Sequence, residues 1–280
     1  MTDTERLLAA ATRTIARRDA ELLLAAAASL TRTQLIARAD DAWPPDVVAR
    51  FEALVTRRAA GEPAAYLLGR REFWSLELEV GPAVLVPRPE TELLVERVLA
   101  RVTAPDAGVA DLGTGSGAIA IALATERPGW RIVATDASDA ALALARRNGE
   151  RLAPGRIEWL RSPSADDWYA ALAGRRFAAL VSNPPYIAGD DPVLAGDGLR
   201  YEPRGALTPG GDGYAALLTL INGAPGHLLA DGWLVLEHGE SQAERLRSAL
   251  VARGFTHVTS HRDLAGRERI TEGQISHARF

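Results

Sequence analysis

"VADLGTGSGAIAIALA" (109–124) holds the residues that decide the fold. An apolar run typical of a buried strand ends at Leu112, three alternating glycines follow, and an apolar helical stretch begins at Ala118. Glycines permit a tight turn and let a ligand approach the backbone amides at the start of a helix. The stretch therefore predicts a strand, a ligand-binding turn and a helix in an α/β domain.

The chain after this stretch continues to alternate between strand and helix. Strands separated by helices of this length predict a doubly wound, mostly parallel sheet that is covered on both faces. Seven segments have strand composition: "GVADL", "RIVATD", "RIEWL", "FAALVSNPPY", "GWLVLEH", "FTHVTSHRD" and a last stretch near 268–279. A helix is predicted before the fifth strand, over "GYAALLTLINGAPGHLL" (213–229).

Asp136 ends the second of these strands. A carboxylate at this position can accept hydrogen bonds from both hydroxyls of a ribose. Together with the glycine turn it predicts a ligand that contains adenosine. The pattern alone leaves NAD and S-adenosylmethionine open, and a tight turn that binds nothing is a further alternative.

"VSNPPYIAG" (181–189) follows the fourth strand of the predicted sheet. Ligands of open α/β sheets bind beyond the carboxyl ends of the strands, so Asn183 to Tyr186 are expected to face the nucleotide crevice. Two prolines stiffen the turn and fix two acceptors, the Asn183 side-chain oxygen and the Pro184 carbonyl, beside the flat ring of Tyr186. Such a site suits a planar –NH₂ group, whereas the structural alternative is a simple strand-ending turn.

The residues before the sheet divide into two predicted segments. Residues 1–70 have helical periodicity, and residues 1–75 carry eleven Arg against ten Asp plus Glu, which favours a nearly neutral helical docking domain. Residues 71–86 contain "FWSLELEV" and "AVLVP" on either side of Gly81 and Pro82, which predicts a β-hairpin linker. Residues 87–280 are expected to form the third domain, which contains the sheet. The long loop at 188–213 in this domain is predicted to be functional.

Composition excludes several classes of function. The net charge of −4 gives no general reason to expect nucleic-acid binding through a basic surface, and the lack of cysteine excludes disulfides and thiolate chemistry. No apolar stretch is long enough to cross a bilayer, so a cytoplasmic protein is expected. No His pair has metal-ligand spacing, so no metal site is predicted. No Ser-His-Asp arrangement is evident that would suggest a serine nucleophile.

The motifs together resemble a known family. The chain from about residue 60 onwards is similar to the bacterial glutamine N5-methyltransferases of peptide chain release factors. The resemblance is carried by "GEPAAYLLGRREFW", "LVPRPETELLVE", "DLGTGSGAIAIALA", "VSNPPYI", "RYEPRGAL" and "LEHGESQ". It implies the class I S-adenosylmethionine-dependent methyltransferase fold with a small N-terminal helical domain.

The resemblance also implies roles for individual residues. S-adenosylmethionine, with S-adenosylhomocysteine as product, would be bound by Gly113, Thr114, Gly115, Ser116, Gly117, Asp136, Trp168 and Asn183. The substrate would be the glutamine of the Gly-Gly-Gln motif in class I release factors. Asn183 and Pro184 would hold its amide and Tyr186 would stack on it, with Pro185 completing the substrate site. Asp166 and Asp167 are alternatives for an adenine contact.

The motifs leave some residue roles and some substrates open. Arg88 and Glu90 are expected either to start a helix or to lie near the mouth of the site, and Tyr201 and Glu202 to help close it. Glutamine methylation of a ribosomal protein would use the same central motifs. N6-adenine methylation and a non-enzymatic adenosine-binding module also remain open, although the negative charge disfavours the former and the intact Asn-Pro-Pro-Tyr turn the latter.

Overall fold

A computed structural model describes residues 2–38, 40–196 and 198–276. The chain forms two compact units. The smaller comprises residues 1–70 with 195–201, and the larger comprises residues 71–194 with 202–280.

The smaller unit contains five helices: α1 (Asp3–Ala11), α2 (Arg17–Ala27), α3 (Arg32–Ala37), α4 (Pro45–Ala59) and α5 (Ala64–Leu68). Thr2 and Thr31 cap α1 and α3, each in a capping box with the third helical residue. The helices enclose a core that includes the fully buried side chains of Leu23, Leu24 and Phe51. Tyr201 belongs to this unit and donates from its hydroxyl to the Ala60 carbonyl at 2.9 Å.

A β-hairpin begins the larger unit, but its position differs from the prediction. The strands are β1 (Arg70–Phe73) and β2 (Leu76–Glu79), so the turn lies at Trp74 and Ser75, and "AVLVP" forms no strand. Prolines at 82, 87 and 89 remove backbone donors from that segment. Because the buried Phe73 and Leu78 join the core of the larger unit, the hairpin is a part of that unit rather than a linker.

The seven strands of the main sheet are β3 (Gly108–Leu112), β4 (Arg131–Asp136), β5 (Ile157–Arg161), β6 (Phe177–Ser182), β7 (Leu228–Glu237), β8 (Phe255–Arg262) and β9 (Glu268–Ile275). Their order is β5-β4-β3-β6-β7-β9-β8, with β9 antiparallel to both neighbours and the other pairs parallel. This confirms the predicted doubly wound, mostly parallel seven-stranded sheet. Residues 277–279 of the predicted last strand lie outside the described part.

Helices cover both faces of the sheet: α6 (Glu92–Arg101), α7 (Ala118–Glu126), α8 (Asp139–Leu152), α10 (Ala215–Gly223) and α11 (Ala243–Ala252). The short α9 (Arg204–Leu207) lies in the long loop. Alternating strand residues enter two cores, with Val109 on the side of α6 and α7 and Ala110 on the side of α10 and α11. The prediction that one helix spans 213–229 is wrong. Helix α10 ends at Gly223, two residues before Pro225, and β7 already begins at Leu228.

The order of the strands positions the two motifs of interest. The chain runs outward from β3 through β4 to β5 and then returns to the other side of β3 as β6. The glycine turn follows β3 and the Asn-Pro-Pro-Tyr turn follows β6, so both lie at the carboxyl edge where the strand order reverses. Ser182 links the two strand ends by donating from its hydroxyl to the Leu112 carbonyl at 2.6 Å. Ligands of open α/β sheets bind at this point.

Candidate active site

A cavity of about 350 Å³ lies at this edge of the sheet, wholly within the larger unit. Residues from six segments line it: Ala83–Leu85, Pro87 and Thr91; Gly113–Ser116, Ala118 and Ile119; Thr135–Ser138 and Ala141; Ser162, Ser164, Ala165 and Trp168; Asn183 and Pro185; and Pro203, Gly205 and Ala206. The long loop predicted to be functional supplies the last three.

The glycine turn is held against the neighbouring strand by its backbone. The amides of Gly113 and Thr114 both donate to the Thr135 carbonyl at 2.9 Å. Gly113 and Gly115 have φ of +77° and +55°, a conformation that glycine adopts without strain. Gly117 does not line the cavity, and a Cβ there would lie 3.0 Å from the side chains of Ile121 and Trp159, so this glycine permits close packing at the start of α7.

Asp136 lines the cavity at the end of β4. Its Oδ2 accepts from the Gly115 amide at 2.9 Å, and its Oδ1 accepts from the Ser138 amide at 2.8 Å. Burial raises the pKa of Asp136, while these amides act in the opposite direction by stabilising the charged form. Each oxygen of the carboxylate retains a further lone pair for a ligand hydroxyl.

A second carboxyl group lies beneath the turn and was not predicted from the sequence. Asp111 is completely buried and accepts from the Thr114 hydroxyl at 2.6 Å, while its Oδ1 has no hydrogen-bond partner among the described residues. Burial raises the pKa of Asp111 to about 7. The sequence did not indicate that Asp111 is buried, because an acidic residue in an apolar strand pattern is usually expected to lie at an exposed end of the strand.

Trp168 forms part of the cavity wall beside the glycine turn. A Cβ at Gly113 would lie 2.9 Å from its ring, so the close approach of turn and indole requires glycine there. Neither Asp166 nor Asp167 lines the cavity. The Asp167 carboxylate instead accepts from the Ala170 amide at 3.0 Å, which stabilises the local turn. The wall at this point consists of Trp168 and the small residues before it.

The Asn-Pro-Pro-Tyr turn is anchored by its two polar ends. Asn183 donates from Nδ2 to the Thr91 hydroxyl at 3.2 Å, and Tyr186 donates from its hydroxyl to Glu237 Oε1 at 3.2 Å. Thr91 in turn donates to Glu237 Oε2 at 2.7 Å. One end of the turn therefore reaches the buried Glu237 carboxyl group through Thr91, and the other end reaches it directly. Asn183 and Pro185 line the cavity, whereas Pro184 and Tyr186 do not.

The backbone of the turn is fixed from below as well. Gln242 is buried and donates from Nε2 to the Tyr186 carbonyl at 3.1 Å. Gly213 also lies against this carbonyl, because a Cβ at Gly213 would be only 2.4 Å from it. Burial raises the pKa of Tyr186 far above its usual value, so the phenol stays protonated and remains a donor.

Glu202 attaches the long loop to the opposite wall of the cavity. Its carboxylate is buried, accepts from the Val86 amide at 2.9 Å and pairs with the Arg88 guanidinium at 2.5 Å. The Glu202 side chain therefore supplies segment 83–87 with a hydrogen bond of the kind that a neighbouring strand would otherwise provide. Arg88 is close to the site through this pair, while Glu90 lies in the short 3₁₀ turn (Pro89–Thr91) before α6.

Comparison with known proteins identifies the chain. Residues 1–69 match the family model of the PrmC N-terminal domain, and residues 89–215 match the methyltransferase small domain. The release factor glutamine methyltransferase of Pseudomonas aeruginosa is 50% identical over 92% of this chain and 92% of its own length. The Burkholderia pseudomallei enzyme of the same name is 51% identical over 92% of this chain and 91% of its own.

The chain belongs to the release factor glutamine methyltransferase family. The resemblance drawn from the sequence motifs is thereby confirmed. A methyltransferase from Pyrococcus furiosus matches the fold with a TM-score of 0.54 at 18% identity, over 81% of this chain and 98% of that structure. The predicted class I methyltransferase fold is thereby confirmed as well.

Neither a candidate metal site nor a candidate membrane-spanning helix is found in the described part of the chain. Among residues 2–38, 40–196 and 198–276, no group of His, Asp and Glu side chains is arranged to hold a metal ion. Within the same ranges, no helix has the length and apolar character that crossing a bilayer requires.

Proposed function

We propose that the chain transfers a methyl group from S-adenosylmethionine to the side-chain amide nitrogen of the glutamine in the Gly-Gly-Gln motif of class I release factors. The orientation of Asn183 carries the proposal. Its Nδ2 is turned towards Thr91, which leaves Oδ1 as the acceptor at the cavity. Relatives at 50% and 51% identity with that activity in their names support the choice of substrate.

The residues that line the cavity suit this cofactor. Asp136 would accept from the ribose hydroxyls, the turn at Gly113–Ser116 would admit the amino acid portion close to the backbone, and Trp168 would pack on the adenine. When bound, S-adenosylmethionine supplies an electrophilic methyl group on a positively charged sulfur. Gly117 would contribute through the packing of α7.

The residues of the turn would then prepare the substrate amide. An amide nitrogen is a poor nucleophile because its lone pair is delocalised into the carbonyl group. Asn183 Oδ1 and the Pro184 carbonyl would accept its two N–H bonds at fixed positions, and Tyr186 would stack on its plane, with Pro185 forming the adjoining wall. This favours a nitrogen whose lone pair points at the methyl carbon.

Methyl transfer would be a single displacement. The substrate nitrogen would form its bond to the methyl carbon as the bond from that carbon to sulfur breaks, with the electron pair left on sulfur. The nitrogen then releases one proton to solvent, which needs no strong base because the methylated, positively charged amide is acidic. Positioning and electrostatics therefore supply the catalysis.

The helical unit would provide the docking surface for the release factor, in line with the predicted domain at 1–70. Its nearly balanced charge fits a protein partner better than a phosphate backbone. We accordingly expect no direct contact with nucleic acid and a reaction in the cytoplasm, where release factors work. Residues 71–86 and 87–280 would together form the catalytic part.

A transfer assay with three competing substrates tests the proposal. Purified release factor, a ribosomal protein fraction and duplex DNA are incubated with enzyme and S-adenosylmethionine, and the products are identified by mass spectrometry. One methyl group on the Gly-Gly-Gln glutamine is the expected result. Methyl only on a ribosomal protein would refute the assigned partner, and methyl on adenine would refute the assigned chemistry.

Asn183→Ala tests the acceptor within the same assay. We expect loss of transfer with cofactor affinity largely retained, because the cofactor has its main contacts elsewhere in the cavity. Asn222→Ala is the matched control, since Asn222 is exposed on α10 and away from the cavity. Near-normal turnover of Asn183→Ala would exclude the amide-acceptor mechanism.

A further inference from the structure

Thr91 and Glu237 form a buried pair beneath the Asn-Pro-Pro-Tyr turn. Thr91 is 4% exposed and Glu237 is 2% exposed. Thr91 closes the 3₁₀ turn before α6, and Glu237 is the last residue of β7, so two separate elements bring them together. Their hydrogen bonds form one continuous path from Asn183 through Thr91 to Glu237.

The chemistry of these groups gives the path a direction. An ionised carboxylate only accepts, and the Thr91 hydroxyl has a single hydrogen, which points to Glu237 at 2.7 Å. The Thr91 oxygen can therefore only accept from Asn183. A reversed Asn183 amide would place its oxygen against the lone pairs of the threonine oxygen, so the amide nitrogen must turn to Thr91.

We propose that Thr91 and Glu237 are positioning residues that fix which end of the Asn183 amide faces the substrate. The inference rests on the proposed function, in which Asn183 Oδ1 accepts from the glutamine amide. Neither residue touches the reacting atoms in this role. The pair converts an amide that could present either a donor or an acceptor into one that presents only an acceptor.

The direction of the path reverses when Glu237 is protonated. A carboxylic O–H can donate to Thr91, whose own hydrogen is then available to Asn183 Oδ1, and the –NH₂ group turns to the substrate. The pKa of Glu237 is raised to about 7, chiefly by burial and in smaller part by Glu90, while Thr91, Tyr186 and Arg269 of β9 act in the opposite direction. Transfer should therefore decline as the pH falls through neutrality.

The first test compares Thr91→Val with Thr91→Ser. Valine keeps the shape of threonine but removes the hydroxyl, and we expect kcat to fall about 100-fold while the cofactor Kd changes by less than about threefold. Serine restores the hydroxyl, so Thr91→Ser should recover most of the loss. A valine variant with the wild-type kcat, or a serine variant as impaired as valine, would overturn the proposal.

The second test measures kcat against pH and does not depend on the valine variant folding. Glu237→Gln has no titrating group at this position, so its kcat should lose the decline on the acid side that the wild type shows. An unchanged acid limb in Glu237→Gln would refute the role of Glu237. Wild-type enzyme that transfers no methyl to release factor would instead refute the proposed function, which keeps the two failures distinct.

Discussion

Gly213→Ala would place a methyl group against the carbonyl of Tyr186, 27 residues earlier in the chain. The added Cβ would lie 2.4 Å from that oxygen and 3.1 Å from the Ala188 amide nitrogen. Ordinary contact begins at 3.4 Å, so the backbone beyond Pro185 must move by roughly 1 Å. A displacement of this size at a substrate-positioning turn reduces the rate about 100-fold.

Gly211→Ala is the matched control in the same loop. Gly211 also has a positive φ of +52°, but a Cβ there would meet no atom of the described residues within 4 Å. Both variants lose about 1 kcal/mol from the left-handed conformation. Only Gly213→Ala adds the collision with the turn, so the difference between the variants isolates that collision.

The assay measures kcat for methyl transfer, cofactor affinity by calorimetry and thermal unfolding of each variant. Gly211→Ala should keep kcat within about twofold and lose a few degrees in Tm, at about 2–4 °C per kcal/mol. Gly213→Ala should lose about 100-fold in kcat with cofactor binding retained. If the two variants have equal kcat, methyl transfer does not depend on the observed position of the turn.

Three further predictions concern buried or site-lining acids. Asp136→Ala should weaken cofactor binding by about 10- to 100-fold, as calorimetry would measure, whereas Asp139→Ala on the exposed surface should not. Asp111 has a folded pKa of about 7, above its unfolded value of about 3.8, so its contribution to the free energy of unfolding is largest in acid and is lost as the pH rises towards 7. Asp111→Asn should remove this loss, on the order of a few kcal/mol, from urea unfolding measured at pH 5 and pH 8; an unchanged difference would contradict the buried-acid assignment. Glu202→Ala leaves the Val86 amide without its acceptor and should weaken cofactor binding about tenfold, and unaltered affinity would show that the 83–87 wall is held by other contacts.

The sequence predicted those features that depend on local pattern. The strand at Gly108–Leu112, the glycine turn and the turn at Asn183 follow from apolar runs and from glycine and proline, whose backbone preferences act within a few residues. Because β3 and β6 are adjacent, the expectation that the two turns share one edge was sound. Methyl transfer to a glutamine amide was inferred from the family resemblance and not from the local pattern.

The hairpin shows where local pattern fails. Its turn residues, Trp74 and Ser75, have φ of +53° and +57°, which side chains other than glycine rarely adopt. Trp74 is held there by distant carboxylates, because its amide donates to Glu92 and its indole nitrogen donates to Glu126, each at 2.8 Å. Nothing near the turn in the sequence signals these contacts.

Two residues that support the Asn-Pro-Pro-Tyr turn were missed for the same reason. Thr91 and Glu237 act through partners far away in the chain, and each lies in a segment whose local pattern has an ordinary structural explanation. Glu202 was expected to help close the site, but its hydrogen bond to the Val86 amide was not foreseen. A threonine before a helix looks like a cap, and an acid at the end of a strand looks exposed. Only the fold shows that they meet the Asn-Pro-Pro-Tyr turn and the cavity wall.

The pair of acceptors proposed at Asn183 and Pro184 would also set a limit on the product. An unmodified amide offers two N–H bonds and can satisfy both acceptors, whereas a monomethylated amide retains only one. A second round would leave a polar acceptor desolvated against a methyl group, which disfavours binding. A site with two fixed acceptors would therefore favour the unmethylated amide, and we expect a single methyl group on each glutamine.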